Sequence, residues 1–320
     1  MPPAGLRRAV TLLAAALALC AGTTRAQAPG GTTFDHAAPP GDNYAKAEFR
    51  LWLPAGASRV RGVLLLVPGS NGDGRPDVQD TVWQAFARGH GLALVGCHFT
   101  DKPHEQNFIE EYVDVARGTG PALLGALVAF AADAKHPELA TAPLLLWGMS
   151  AGGEFNYEFV AWKPERVIAF VVNKGGIYYT ALTSRAARSV PGILFVGGKD
   201  LAFRTNTITG LFAVNRRAGA LWALAEEPGA AHIVGRSRDV ALVFFDDMLA
   251  ARLGDTAAAD GAAPALHPIA ESSGFLGDLT ARTFRPVAGA PAPSVPTAWL
   301  PTERVARAWA AMMTDTPFPP

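Results

Sequence analysis

Residues Gly62 to Val67 read GVLLLV, a stretch of strand length with no polar interruption. Shorter or similar runs recur at 92–95, 144–147, 167–172 and 193–196, with a weaker one at 221–225. A strand that is apolar at every position leaves no face for water, so it belongs in a sheet covered on both sides, as parallel sheets are. Between these runs lie stretches with helical spacing, at 78–88, 120–134, 151–162, 207–218 and 240–253. Repeated strand–helix alternation means right-handed crossovers and layered architecture. Segment 47–53 alternates around Phe49 and Leu51, as a half-buried strand would. The expected fold is α/β, a mostly parallel central sheet with helices on both faces, and no internal repeat of fixed period competes with it.

The two ends of the chain fall outside this rhythm. Arg7 and Arg8 precede an apolar run at 9–21, and Thr24-Arg25-Ala26 or Ala26-Gln27-Ala28 offers small residues for cleavage. Positive start, short apolar centre and small-residue exit make residues 1–26 a secretory signal peptide, too short for a comfortable membrane span. The expected location is secreted or periplasmic, with no stable membrane insertion once the segment is removed. Removal also takes away Cys20 and leaves Cys97 alone, so no internal disulfide is available and stability must come from core burial. Residues 27–44 read as an irregular leader rich in Gly and Pro, and 45–253 as the main α/β domain. Residues 254–320 read as a Pro/Gly/Ala-rich excursion followed by a helix at 302–313, capped by Thr302 and packed on the same domain. Equal numbers of basic and acidic residues, 28 of each, argue against a nucleic-acid binder, which needs excess Lys and Arg for phosphates.

The chemistry concentrates after the LLLW run, at Gly148-Met149-Ser150-Ala151-Gly152. This is G-x-S-x-G between an expected strand and an expected helix, where the turn is so tight that residues flanking the serine must lack side chains. Its hydroxyl is exposed at the carboxyl end of the sheet. An acid and then a histidine are expected in loops after later strands. Asp200 follows the ILFV run at once, in GGKD, and His232 closes PGAAH beyond the 221–225 run. Of the seven histidines His232 alone stands in a loop just after a late strand, and Asp239, Asp246 and Asp247 come in the wrong order for the acid. His232 would take the Ser150 proton, and Asp200 would hold the imidazole tautomer. Backbone amides of Ala151 and of Ser70, in Pro68-Gly69-Ser70-Asn71-Gly72, are assigned to an oxyanion hole, with Asn71 as the neighbouring alternative to Ser70. The 97–105 segment carries Cys97, His98, Asp101, His104 and Glu105 without paired metal-ligand spacing, so no metal is assigned. Its place after a strand makes His98 or Phe99 candidates for a pocket wall.

Together PGSNG, GMSAGG, GGKD and GAAH resemble the α/β-hydrolase fold, over roughly residues 45–253. The closest likeness is to its secreted esterase branch: polyhydroxybutyrate depolymerase-like and feruloyl or acetylxylan esterase-like enzymes, with dienelactone hydrolase-like spacing. Two departures stand out. Pro68-Gly69 replaces the usual His-Gly before the oxyanion donor, and there is neither an extra cysteine pair nor a carbohydrate-binding module. The resemblance implies a cofactor-free serine hydrolase that cleaves small or polymeric carboxylic esters through an acyl-enzyme. A peptidase or amidase with the same triad, and a non-catalytic ligand-binding member of the fold, remain open at this point.

Overall fold

In the computed structural model the described residues are 27–28, 30–106, 109–254, 264–289 and 295–319. The segment read as a signal peptide lies outside them. Among the described residues, nine strands form one sheet: β1 (Gln27–Ala28), β2 (Gly31–Ala38), β3 (Lys46–Pro54), β4 (Gly62–Val67), β5 (Leu92–Thr100), β6 (Leu144–Gly148), β7 (Val167–Asn173), β8 (Gly192–Gly197) and β9 (Trp222–Glu227). Their spatial order is β1-β2-β3-β5-β4-β6-β7-β8-β9. From β5 to β9 every pairing is parallel, while β1, β2 and β3 add antiparallel strands at one edge.

Helices α1 (Thr81–His90), α2 (Thr119–Asp133), α3 (Ala151–Trp162), α4 (Arg185–Arg188) and α5 (Ala202–Arg217) occupy the crossovers, and α6 (Ser237–Arg252) follows β9. The GVLLLV run shows why both faces are covered. Val63, Leu65 and Val67 enter one core with Phe130 of α2, Phe155 of α3 and Phe212 of α5. Leu64 and Leu66 enter the other with Trp83 of α1 and Phe244 of α6. Each such side chain removed from water contributes about 1.5–3 kcal/mol, and these two layers hold the fold together.

The last helix, α7 (Glu303–Met313), belongs to the second layer. Thr302 caps it by accepting from the Val305 amide at 3.1 Å, and its Trp309 donates to the Leu224 carbonyl at 2.7 Å. Among the described residues no helix is long and apolar enough to cross a membrane.

Three stretches differ from the sequence reading. Residues 31–38 are not an irregular leader but strand β2, paired along its whole length with β3 and tied by Asp35 to Arg50 at 2.7 Å. As an outer strand of the sheet it needs little apolar patterning, and Gly31 is there because a Cβ would lie 2.3 Å from Trp52 Nε1. Strand β5 runs on to Thr100 because Cys97 and Phe99 alternate inward opposite β3, beyond the end of its unbroken apolar run. The tail excursion carries order of its own: β10 (Phe275–Gly277), β11 (Phe284–Pro286) and β12 (Ala298–Leu300) make a small antiparallel sheet. Strands of three residues are too short to show a period.

Candidate active site

Ser150 has φ 54° and ψ −125°, a conformation that residues with a Cβ rarely adopt. The sequence around it explains how the turn closes. A Cβ on Gly148 would lie 2.1 Å from the Gly152 carbonyl oxygen, and one on Gly152 would lie 2.1 Å from that of Val67. The turn is held by its own amide, which donates to Asn173 at 2.8 Å, and by Gly153 and Glu154, which donate to the Ser150 carbonyl. The hydroxyl is thereby held at the carboxyl edge of the sheet, at the start of α3.

His232 Nε2 stands 2.9 Å from Ser150 Oγ, and His232 Nδ1 stands 2.8 Å from Asp200 Oδ2. With the Nδ1 proton donated to Asp200, Nε2 is free to accept the serine proton. Asp200 is fixed from three sides. Its other oxygen accepts from the Leu201 amide at 2.7 Å and from Arg204 at 3.2 Å. Burial pushes its carboxyl up, but the bonds from His232, Leu201 and Arg204 outweigh it and hold the group below the usual carboxylate value.

The acid turn and the histidine loop are also joined through their backbones. Gly198 donates to Glu227 and Lys199 to Ala230, both at 2.9 Å. Glycines 197 and 198 permit this approach, since a Cβ on either would come within 2.6 Å of a carbonyl oxygen in the opposite loop. Under the histidine loop Lys174 is fully buried and lies 3.1 Å from Glu227.

The Gly69–Gly72 segment forms a turn closed by Gly72 donating to Gly69 at 2.9 Å, with Asn71 at φ 53°. It lies against Ser150: a Cβ on Gly69 would sit 3.5 Å from that of the serine. The Asn71 amide is already used, donating to the Tyr112 hydroxyl at 3.2 Å. The amides of Ser70 and Ala151 have no acceptor among the described residues, which favours Ser70 over Asn71 as the available donor.

These groups border a cavity of about 920 Å³ to which the segment after each of β4 to β9 contributes. His98 and Phe99, read as candidates for its wall, are not there. His98 points to Glu48 at 3.0 Å, and Phe99 is buried among Phe49, Tyr112 and Phe155. His104 and Glu110 line it instead, as does Glu154 of α3, only 3% exposed. Burial first, then the charge of Glu110, raises Glu154 to about 8, against the pull of the Ile177 and Gly176 amides and of Arg204. Sequence reading missed Glu154, Glu110, Arg204 and the Lys174–Glu227 pair. The one signal available was a pair of acids, Glu154 and Glu158, inside a helix whose only other polar side chains are Asn156 and the Tyr157 hydroxyl.

No family model and no curated protein sequence matches the chain. Solved structures do. A poly(3-hydroxybutyrate) depolymerase of Bordetella parapertussis aligns with TM-score 0.51 and 18% identity, over 71% of this chain and 92% of that one. An S-formylglutathione hydrolase of Agrobacterium tumefaciens aligns with TM-score 0.51 and 13% identity, over 72% and 99%. A bacterial heroin esterase aligns with TM-score 0.50 and 17% identity, over 69% and 85%. The chain has the α/β-hydrolase fold.

Proposed function

We propose that this chain hydrolyses carboxylic esters, with Ser150 as nucleophile, His232 as general base and acid, and Asp200 as the orienting carboxylate. The observation that carries the reading is the continuous line of contacts from Ser150 Oγ through the imidazole to Asp200, at 2.9 and 2.8 Å. Its place on the strained turn of an α/β-hydrolase sheet supports it.

In this mechanism Ser150 Oγ attacks the ester carbonyl as its proton passes to His232 Nε2. Asp200, kept ionised by its donors, stabilises the imidazolium. The negative charge on the former carbonyl oxygen falls to the Ala151 and Ser70 amides, which need not abandon any other partner to receive it. Collapse expels the alkoxide, which takes the proton from His232 and leaves as the alcohol. Water, deprotonated by the same imidazole, then attacks the acyl-enzyme and releases the acid. The names borne by the structural neighbours, a depolymerase, a hydrolase and an esterase, point the same way. Export through residues 1–26 belongs to the same proposal, and N-terminal sequencing of the exported protein checks it.

The test is turnover of p-nitrophenyl acetate, butyrate and octanoate beside a Ser150→Ala control, with an anilide of matched acyl length. Ester turnover that disappears in the variant supports the reading. Equal rates in wild type and variant overturn it, and anilide turnover rivalling the ester would shift it to an amidase.

A further inference from the structure

Glu154 and Glu110 are both buried, at 3% and 7% exposure, and both line the cavity that Ser150 and His232 border. Only half of the Glu154 carboxylate is satisfied. Oε1 accepts from the Gly176 amide at 2.5 Å, whereas Oε2 has no partner. Glu110 has no side-chain hydrogen bond or ion pair among the described residues, but its oxygens are not sealed from solvent as Glu154 Oε2 is. Two basic groups border the same cavity, but neither is paired with these acids: Arg204 is held by Asp200 at 3.2 Å, and Lys102 is exposed to solvent. A buried carboxyl oxygen without a partner, with a second acid beside it, is costly for folding alone. A pocket that keeps such a group is suited to a ligand that brings the missing positive charge.

We propose that Glu154 and Glu110 form a cation subsite, which takes a positively charged nitrogen carried by the acyl or alcohol portion of the ester. The proposal rests on the hydrolase reading above. A hydroxyl would satisfy one oxygen; an alkylammonium group beside the two acids favours the ionised form of the Glu154 carboxyl, which burial otherwise disfavours. Phe203, 44% exposed and on the same cavity, supplies aromatic surface on which such a group packs. Glu154 is one helical turn from Ser150, on the helix that the nucleophile begins, so the charged end lies close to the scissile bond.

The experiment pairs each cationic ester with its carbon isostere. On the alcohol side these are butyrylcholine and 3,3-dimethylbutyl butyrate; on the acyl side, p-nitrophenyl esters of 4-(trimethylammonio)butyrate and 5,5-dimethylhexanoate. In one pair at least, wild-type kcat/KM should favour the cation by about tenfold or more, the size of a hydrogen bond or contact to a charged group. The ratio should fall toward unity in Glu154→Gln and in Glu110→Gln, two variants whose folding is checked separately by circular dichroism. A ratio of one or below in both pairs, or a preference that neither substitution reduces, overturns the subsite. Calorimetric titration with butyltrimethylammonium reads it without turnover, and absence of binding to the folded wild type overturns it too. Ser150-dependent hydrolysis of the neutral isosteres shows separately whether the hydrolase reading stands.

Discussion

Glu227 holds the floor of the histidine loop with both carboxylate oxygens: Oε2 lies 3.1 Å from Lys174 Nζ, and Oε1 accepts the Arg236 amide at 2.8 Å. The two bonds close the 228–236 segment from beneath, so the position of His232 depends on a pair it does not touch. Lys174→Met would leave the carboxylate buried without its counter-charge. The expected loss is about 3 kcal/mol by urea denaturation, with part of it recovered in Lys174→Met/Glu227→Gln. Unchanged stability in the single variant would show that the pair contributes nothing net.

The backbone of Ser150 stores strain, and glycine would release it. Positions in such regions cost about 1–3 kcal/mol, so Ser150→Gly is expected to gain about 1 kcal/mol and a few degrees in Tm while losing all turnover. Calorimetry of the two proteins decides it; a lower Tm in the variant would mean that the serine's contacts outweigh the strain.

Tyr112 steadies the Gly69–Gly72 turn, the proposed source of one oxyanion donor, by accepting from the Asn71 amide at 3.2 Å. In Tyr112→Phe that amide loses its acceptor and the Gly69–Gly72 turn loses a constraint. The expected result is a fall in kcat of about tenfold with KM little changed, less than the loss of a direct oxyanion donor because the effect is indirect. If kcat is unaltered, the turn is held by its own hydrogen bonds alone.

Glu154 gives stability a pH dependence with a definite sign. Its folded pKa of about 8 lies above the ordinary value of 4.5, so the folded chain binds this proton more tightly than the unfolded one. Stability is therefore expected to decline as pH rises from about 4.5 to about 8, by up to about 1.4 kcal/mol per pH unit, and then to level. Asp200 acts in the opposite sense and at lower pH: its carboxyl is held down, so its contribution is lost as acid protonates it. Glu154→Gln removes the first effect only. Thermal midpoints of variant and wild type, compared from pH 5 to pH 8, should move in the variant's favour as pH rises. Parallel curves would mean that Glu154 is ionised throughout.

Much of the central sheet was legible because its strands are apolar on both faces and so read without knowledge of their neighbours. The candidate triad was legible for a related reason: Ser150, Asp200 and His232 each follow such a strand closely, and chain order then distinguishes them from competing acids and histidines. What escaped depends on partners far along the chain. β2 is a strand because β3 lies beside it, and the Thr33 to Ala38 stretch has no strong pattern of its own. Glu110 and Glu154 belong together only because the loop after β5 comes to lie over the start of α3. His98 was misplaced because β5 runs past its apolar run to Thr100, which carries that side chain to Glu48 and away from the cavity.

The groups around the cavity all hang from the carboxyl edge, whereas the two apolar layers that stabilise the chain lie behind it. Workshop and foundations are thus separate. The segment after β5, with Asp101, His104 and Glu110, is open to exchange by grafting without disturbing a single residue that alternates between the layers. Changes to the cavity wall and changes to the two apolar layers thus fall on different parts of the same strands, so the wall can be altered while the sheet beneath it stays as it is.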